Sequence, residues 1–147
     1  MSAQATLEAL TEQVECCQKL AKLAQMQHEH ISNGRVEQLL EVLKSRQQVV
    51  EQMSACERVV GPVKKQWGEF VAGLDETMRL KAEALLAESR SLLEQITSAD
   101  RDDALVLQQR RLNLGKEIRQ TSSARQVHRM YGAAAYGHRP PRMDLQR

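Results

Sequence analysis

The side chains able to do chemistry are few, and their spacing argues against most of it. His28 and His30 flank Glu29 and offer two imidazoles and a carboxylate. Residues two apart on a helix point in nearly opposite directions, so the two rings cannot chelate one ion. The Glu-x-x-His spacing with which helical bundles hold paired metals does not occur. Cys16 and Cys17 are adjacent, which on a helix sets them about 100° apart, and Cys56 pairs near position 11 when the first two helical stretches fold back on each other, so no four-ligand zinc site follows. Three cysteines, an odd count, do not make a disulfide framework. A buried helical thiol is the ordinary reading of Cys17. There is no Gly-rich phosphate loop and no serine elbow. These residues predict a protein that is not an enzyme and needs no metal or cofactor.

Leu7, Leu10, Val14, Cys17, Ala21, Ala24, His28 and Ile31 recur by threes and fours, a heptad seam. Leu20 and Leu23 widen it enough to face more than one neighbour. Ser32-Asn33-Gly34 stops the helix, because Asn and Gly tolerate the left-handed backbone that closes a turn. A second seam reads Val36, Leu39, Leu43, Arg46, Val50, Met53, Glu57 and Val60. Folding the two at Asn33-Gly34 pairs residues in layers, such as Ala21 with Arg46 and Leu10 with Glu57. An antiparallel helical hairpin is the expected result. In it Arg46 lays its stem along the seam and carries its head to water, and Glu57 near the open end does the same. Gly61-Pro62 is expected to end the second helix, with Pro62 opening a short third one. Trp67 and Phe70 in that short helix are expected to plug the open end of the hairpin.

From Asp75 to Tyr131 the chain has no Pro and one Gly, Gly115. Asp75 is a fair N-cap. Met78, Ala82, Leu85, Leu92, Ile96 and Ala99 fall at helical spacing, and Ala104, Leu107, Leu114 and Ile118 continue on a shifted stripe. Unbroken, roughly 55 residues at about 1.5 Å each would run about 80 Å, twice the length of the helices before it. Thr97 to Asp103 is polar, and there the stripe changes phase. It is either a break with Asp100 and Asp103 capping a fresh helix, or a surface turn of one continuous helix. Leu105, Leu107, Leu112, Leu114 and Ile118 lie beyond the hairpin's reach and are the expected binding surface. Packing against the hairpin and closure of a homodimer remain the alternatives for them.

Length implies a single domain. With 41% hydrophobic but only 3% aromatic residues, its core is expected to be helical. The fold class is therefore all-α: an antiparallel hairpin packed with a long third helix, as an elongated three- to four-helix, coiled-coil-like bundle. The domain spans 1–131, with helices at about 4–31, 35–60, 62–72 and 76–130, and a flexible basic tail follows over 132–147. No run of 18 apolar residues could span a membrane. The start lacks a basic segment followed by an apolar one, so no signal peptide is expected and a reduced, cytoplasmic protein is. The net charge of +2 divides into −5 over 1–109 and +7 over 110–147. A basic tail suits nucleic acid, an anionic membrane surface or an acidic protein patch, or is simply solvated.

Two stretches resemble a known family. Gly34-Arg35-Val36-Glu37-Gln38-Leu39-Leu40-Glu41-Val42-Leu43-Lys44-Ser45-Arg46-Gln47 is similar to the second-helix opening of the FlgN-like flagellar type III export chaperones. The segment from Ile118 to Gly137, with Tyr131 and Tyr136 amid Ala and Gly and then Arg139-Pro140-Pro141-Arg142, resembles that family's tail. The resemblance implies a chaperone of the hook–filament junction proteins (hook-associated subunits) that delivers them to the export gate, without nucleotide or metal. Client binding is then expected at Leu105, Leu107, Leu112, Leu114 and Ile118. Contact with the export gate or another partner is expected at Tyr131, Tyr136, Arg125 and Arg129. The runner-up readings are a helical adaptor or dimerisation protein and, behind it, a nucleic-acid binder using the basic tail.

Overall fold

A computed structural model describes residues 2–135, and these are helical apart from short connections. Four helices follow in order: α1 (Ala3–Ser32), α2 (Val36–Lys65), α3 (Trp67–Ala72) and α4 (Glu76–Ala135). The Ser2 hydroxyl accepts the Ala5 N–H at 3.1 Å and caps α1. At the other end the Gly34 N–H donates to the Ile31 carbonyl and the Arg35 N–H to the His30 carbonyl. That pair of bonds needs a left-handed residue, and Gly34 supplies it at φ 66°. The Asp75 carboxylate accepts the Met78 N–H at 2.8 Å, so it caps α4 as its position suggests.

Helices α1 and α2 pack as the expected antiparallel hairpin, but α2 is turned from the expected face. Val36, Leu43 and Val50, read as inward, are 65%, 45% and 42% exposed. Val42, Val49, Cys56 and Val60 are buried instead, with Leu39, Arg46 and Met53 half-buried between them. Both faces share Leu39, Arg46, Met53 and Val60 and have the same heptad spacing. They differ in whether Cys56 or Glu57 turns inward, and an apolar thiol costs far less to bury than a carboxylate. Glu57 instead accepts hydrogen bonds from Gln13 at 2.6 Å and Lys64 at 3.2 Å.

Pro62 lies inside α2, which ends at Lys65 and not at Gly61. Two facts account for the extra turn. Gly61 has no Cβ to meet the pyrrolidine ring, and Val60, fully buried against Leu7, Leu10 and Ala82, holds that end of the helix in place. Trp67 and Phe70 do close this end of the core. Their rings stand 5.4 Å apart and pack on the Leu7–Leu10–Val60 cluster. A second cluster of Cys16, Leu20, Val49 and Ile96 joins α1, α2 and α4 further along.

Helix α4 is uninterrupted over 97–103, and it reaches Ala135 where an end near 130 was expected. The rest of the expected tail, Tyr136 included, lies outside the described residues. The chain divides into two compact units, the first ending at Ala104 and the second beginning at Leu105. In the first, the α4 seam runs Met78, Ala82, Leu85, Ser89, Leu92, Ile96, Ala99 and Asp103, all buried or half-buried. The second consists, among the described residues, of the remainder of α4.

Candidate functional site

In the first unit the polar stretch of α4 is no break: the helix is continuous there, with Thr97, Ser98, Arg101 and Asp102 exposed, but without the expected change of phase. Its heptad simply continues with a charged residue. Asp103 is 1% exposed. Its carboxylate accepts the Gln27 amide at 3.0 Å and lies 2.8 Å from His28 Nδ1. One turn earlier, Asp100 accepts from both terminal guanidinium nitrogens of Arg46 at 2.8 Å each, and Arg46 also donates to the Gln27 side-chain oxygen Oε1 at 2.7 Å.

The network Asp100–Arg46–Gln27–Asp103–His28 therefore ties α2, α1 and α4 together. The expectation that Arg46 carries its head to water is corrected. The bidentate carboxylate outcompetes solvent, and the Arg46 side chain is only 18% exposed. Hydrogen bonding to Asp100 raises its pKa above the ordinary arginine range, and burial opposes that only in part. Beside the network, Ala21, Ala24, Ile96 and Ala99 with His28 and Asp102 line an open groove of about 430 Å³. No serine, threonine, cysteine or lysine lines it.

The cysteines are poor nucleophiles. All three are free and buried. Burial raises the pKa of Cys16 and Cys17 and pushes that of Cys56 up to about 11, so the thiolate is scarce at neutral pH. Among the described residues no group of three His, Cys, Asp or Glu side chains could hold a metal ion. Among them, too, no helix is long and apolar enough to cross a membrane.

In the second unit all five expected binding residues are exposed: Leu105 64%, Leu107 44%, Leu112 57%, Leu114 57% and Ile118 59%. They do not share one face. At about 100° per residue, Leu107, Leu114 and Ile118 form one stripe, and Leu105 and Leu112 lie about 150° away around the helix. Val127 and Met130, which sequence reading passes over, return to the Leu105–Leu112 face and are 48% and 69% exposed. Counting positions around the wheel would have found them. Arg125 falls on the Leu107 face and Arg129 close to it. Tyr131 is 73% exposed and stands about 90° from the Leu105 face.

The chain thus defines a class of all-α protein with a packed unit formed by α1, α2, α3 and the first part of α4, and a further helical segment bearing exposed apolar stripes. It matches the FlgN protein family over residues 1–135, and it belongs to that family, which is one of flagellar export chaperones. No curated protein and no solved structure matches it.

Proposed function

We propose that the protein is a cytoplasmic export chaperone for the flagellar hook–filament junction proteins. In this reading it holds an unfolded or helical client segment and delivers it to the flagellar type III export apparatus. The observation that carries the proposal is the set of large apolar side chains left exposed along 105–131. A junction subunit's terminal segments are unassembled before export, and amphipathic helices in them would bury that surface in a helix-in-groove manner. Each side chain contributes about 1.5–3 kcal/mol on burial before ordering costs. Five of them suit a complex that is specific yet releasable. Tyr131, Arg125 and Arg129 stand beside this surface as contacts for the client or the export gate. Membership of a chaperone family supports a binding role over a catalytic one.

The test is Leu107→Asp with Leu114→Asp, assayed against a purified junction subunit. Two unpaired charges in the interface should abolish the complex, while the first unit stays folded because neither residue is in its core clusters. Replacing Arg125 and Arg129 by Ala should weaken binding less, and mainly at low salt. Wild-type affinity in the double Asp variant would refute the site. A wild type that binds no junction subunit but retains duplex DNA with steep salt dependence would put the basic segment's nucleic-acid reading in its place.

A further inference from the structure

The two apolar stripes of the second unit impose a requirement that one docked helix cannot meet. Leu107, Leu114 and Ile118 occupy one face, and Leu105 and Leu112, with Val127 and Met130 further along, occupy a face about 150° away. All seven side chains are exposed. The seam with which one helix packs on another spans roughly 100° of its surface, so a helix laid on either stripe leaves the other in water. We infer that this segment is the central strand of a three-helix assembly in which two amphipathic helices of one acidic-flanked client segment clasp it from opposite sides. The inference rests on the chaperone reading and specifies its partner.

Charge decides between a client and a second copy of this chain. Over 105–131 the sequence carries Arg110, Arg111, Lys116, Arg119, Arg125 and Arg129 against Glu117 alone. Lys116 and Arg119 lie in line with the Leu112 stripe and Arg125 with the Leu114 stripe, at about 100° per residue. Pairing this segment with itself would set these cations against one another within the contact. Carboxylates flanking the partner's apolar residues would instead pair with Lys116 and Arg119 on one face and with Arg125 on the other. The partner is therefore an acidic amphipathic pair and not a second copy.

The probe is the purified full-length junction subunit, titrated with four forms of the full chain: wild type, Leu107→Asp/Leu114→Asp, Leu105→Asp/Leu112→Asp, and Leu105→Gln/Leu112→Gln. The Gln pair retains helix propensity and so separates loss of contact from loss of helix, which circular dichroism reads directly. Each Asp pair should weaken binding on the order of 100-fold or more, the Gln pair less but measurably, and added salt should weaken the wild-type complex. If Leu105→Asp/Leu112→Asp and the Gln pair bind as tightly as wild type while Leu107→Asp/Leu114→Asp does not, the client uses one face. The clasp is then wrong, and the chaperone reading survives. If the wild type binds no junction subunit, both fall. A free protein that sediments as a dimer, and loses that dimer but no client affinity on Leu105→Asp/Leu112→Asp, would assign the second face to self-association and overturn the inference.

Discussion

Asp103→Leu probes the least expected feature of the fold, a buried carboxylate in a heptad seam. Leucine suits the seam in shape and polarity, so pattern alone predicts a neutral or stabilising change. The hydrogen bonds predict the opposite. Gln27 is 8% exposed, and its amide would lose a charged acceptor in a place water cannot readily reach. An orphaned buried donor of this kind costs about 1–3 kcal/mol. His28 adds little, because its side chain is 56% exposed and water replaces the lost partner. Arg46 keeps Asp100 and the Gln27 side-chain oxygen.

The net expectation is a loss of about 2 kcal/mol, which for a unit of roughly 100 residues lowers Tm by about 8–16 °C. Thermal and urea unfolding followed by helical circular dichroism would measure it. Gln27→Leu combined with Asp103→Leu should recover most of the loss, since replacing both partners of a buried polar pair by apolar groups is far cheaper than removing one. An Asp103→Leu variant as stable as wild type would refute the claim that Asp103 is held by a satisfied network.

Two further predictions concern the rest of the first unit. Val42→Asp should destabilise by about 3 kcal/mol or more, through an unpaired buried charge, whereas Leu43→Asp should change stability by no more than about 0.5 kcal/mol; equal losses in urea unfolding would mean that α2 is not turned as described. Because the three thiols titrate higher in the folded protein than in the unfolded chain, their contribution is intact below the unfolded value of 9.0 and is lost as pH rises towards the folded value, about 11 for Cys56. Stability should therefore fall between those limits, and Cys56→Ala should flatten the fall. A slope unchanged by that substitution would contradict the burial of Cys56.

The helices were legible because heptad spacing, the Asn33-Gly34 turn and the Asp75 cap are local signals. The face of α2 was not, because two stripes of equal spacing share Leu39, Arg46, Met53 and Val60. Choosing between them needs the cost of burying Glu57 set against that of Cys56, a comparison that spacing alone does not make. Pro62 misled for a similar reason, as burial of Val60 outweighs a missing backbone donor. The polar stretch at 97–103 resembles a change of phase because a charged Asp103 does not stand out as a seam residue. Asp103 stands four residues after Ala99 and seven after Ile96, so the spacing was visible, but its partners Gln27, His28 and Arg46 come from distant parts of the chain. In the second unit the five leucine and isoleucine positions stood out by type, and their division between two faces required placing each one around the helix.

The central claim, that the helix beyond Ala104 holds an export client, is tested most directly by hydrogen exchange of the free protein and of its complex with a junction subunit, read by mass spectrometry. Amides over 105–131 are in a helix with exposed side chains and should exchange quickly when free. On complex formation they should gain protection of at least 100-fold, on the order expected for a contact stabilising that segment by about 3 kcal/mol. Amides of the first unit's core should change little. Protection gained only within 3–104, with 105–131 still exchanging at its free rate, would contradict the claim.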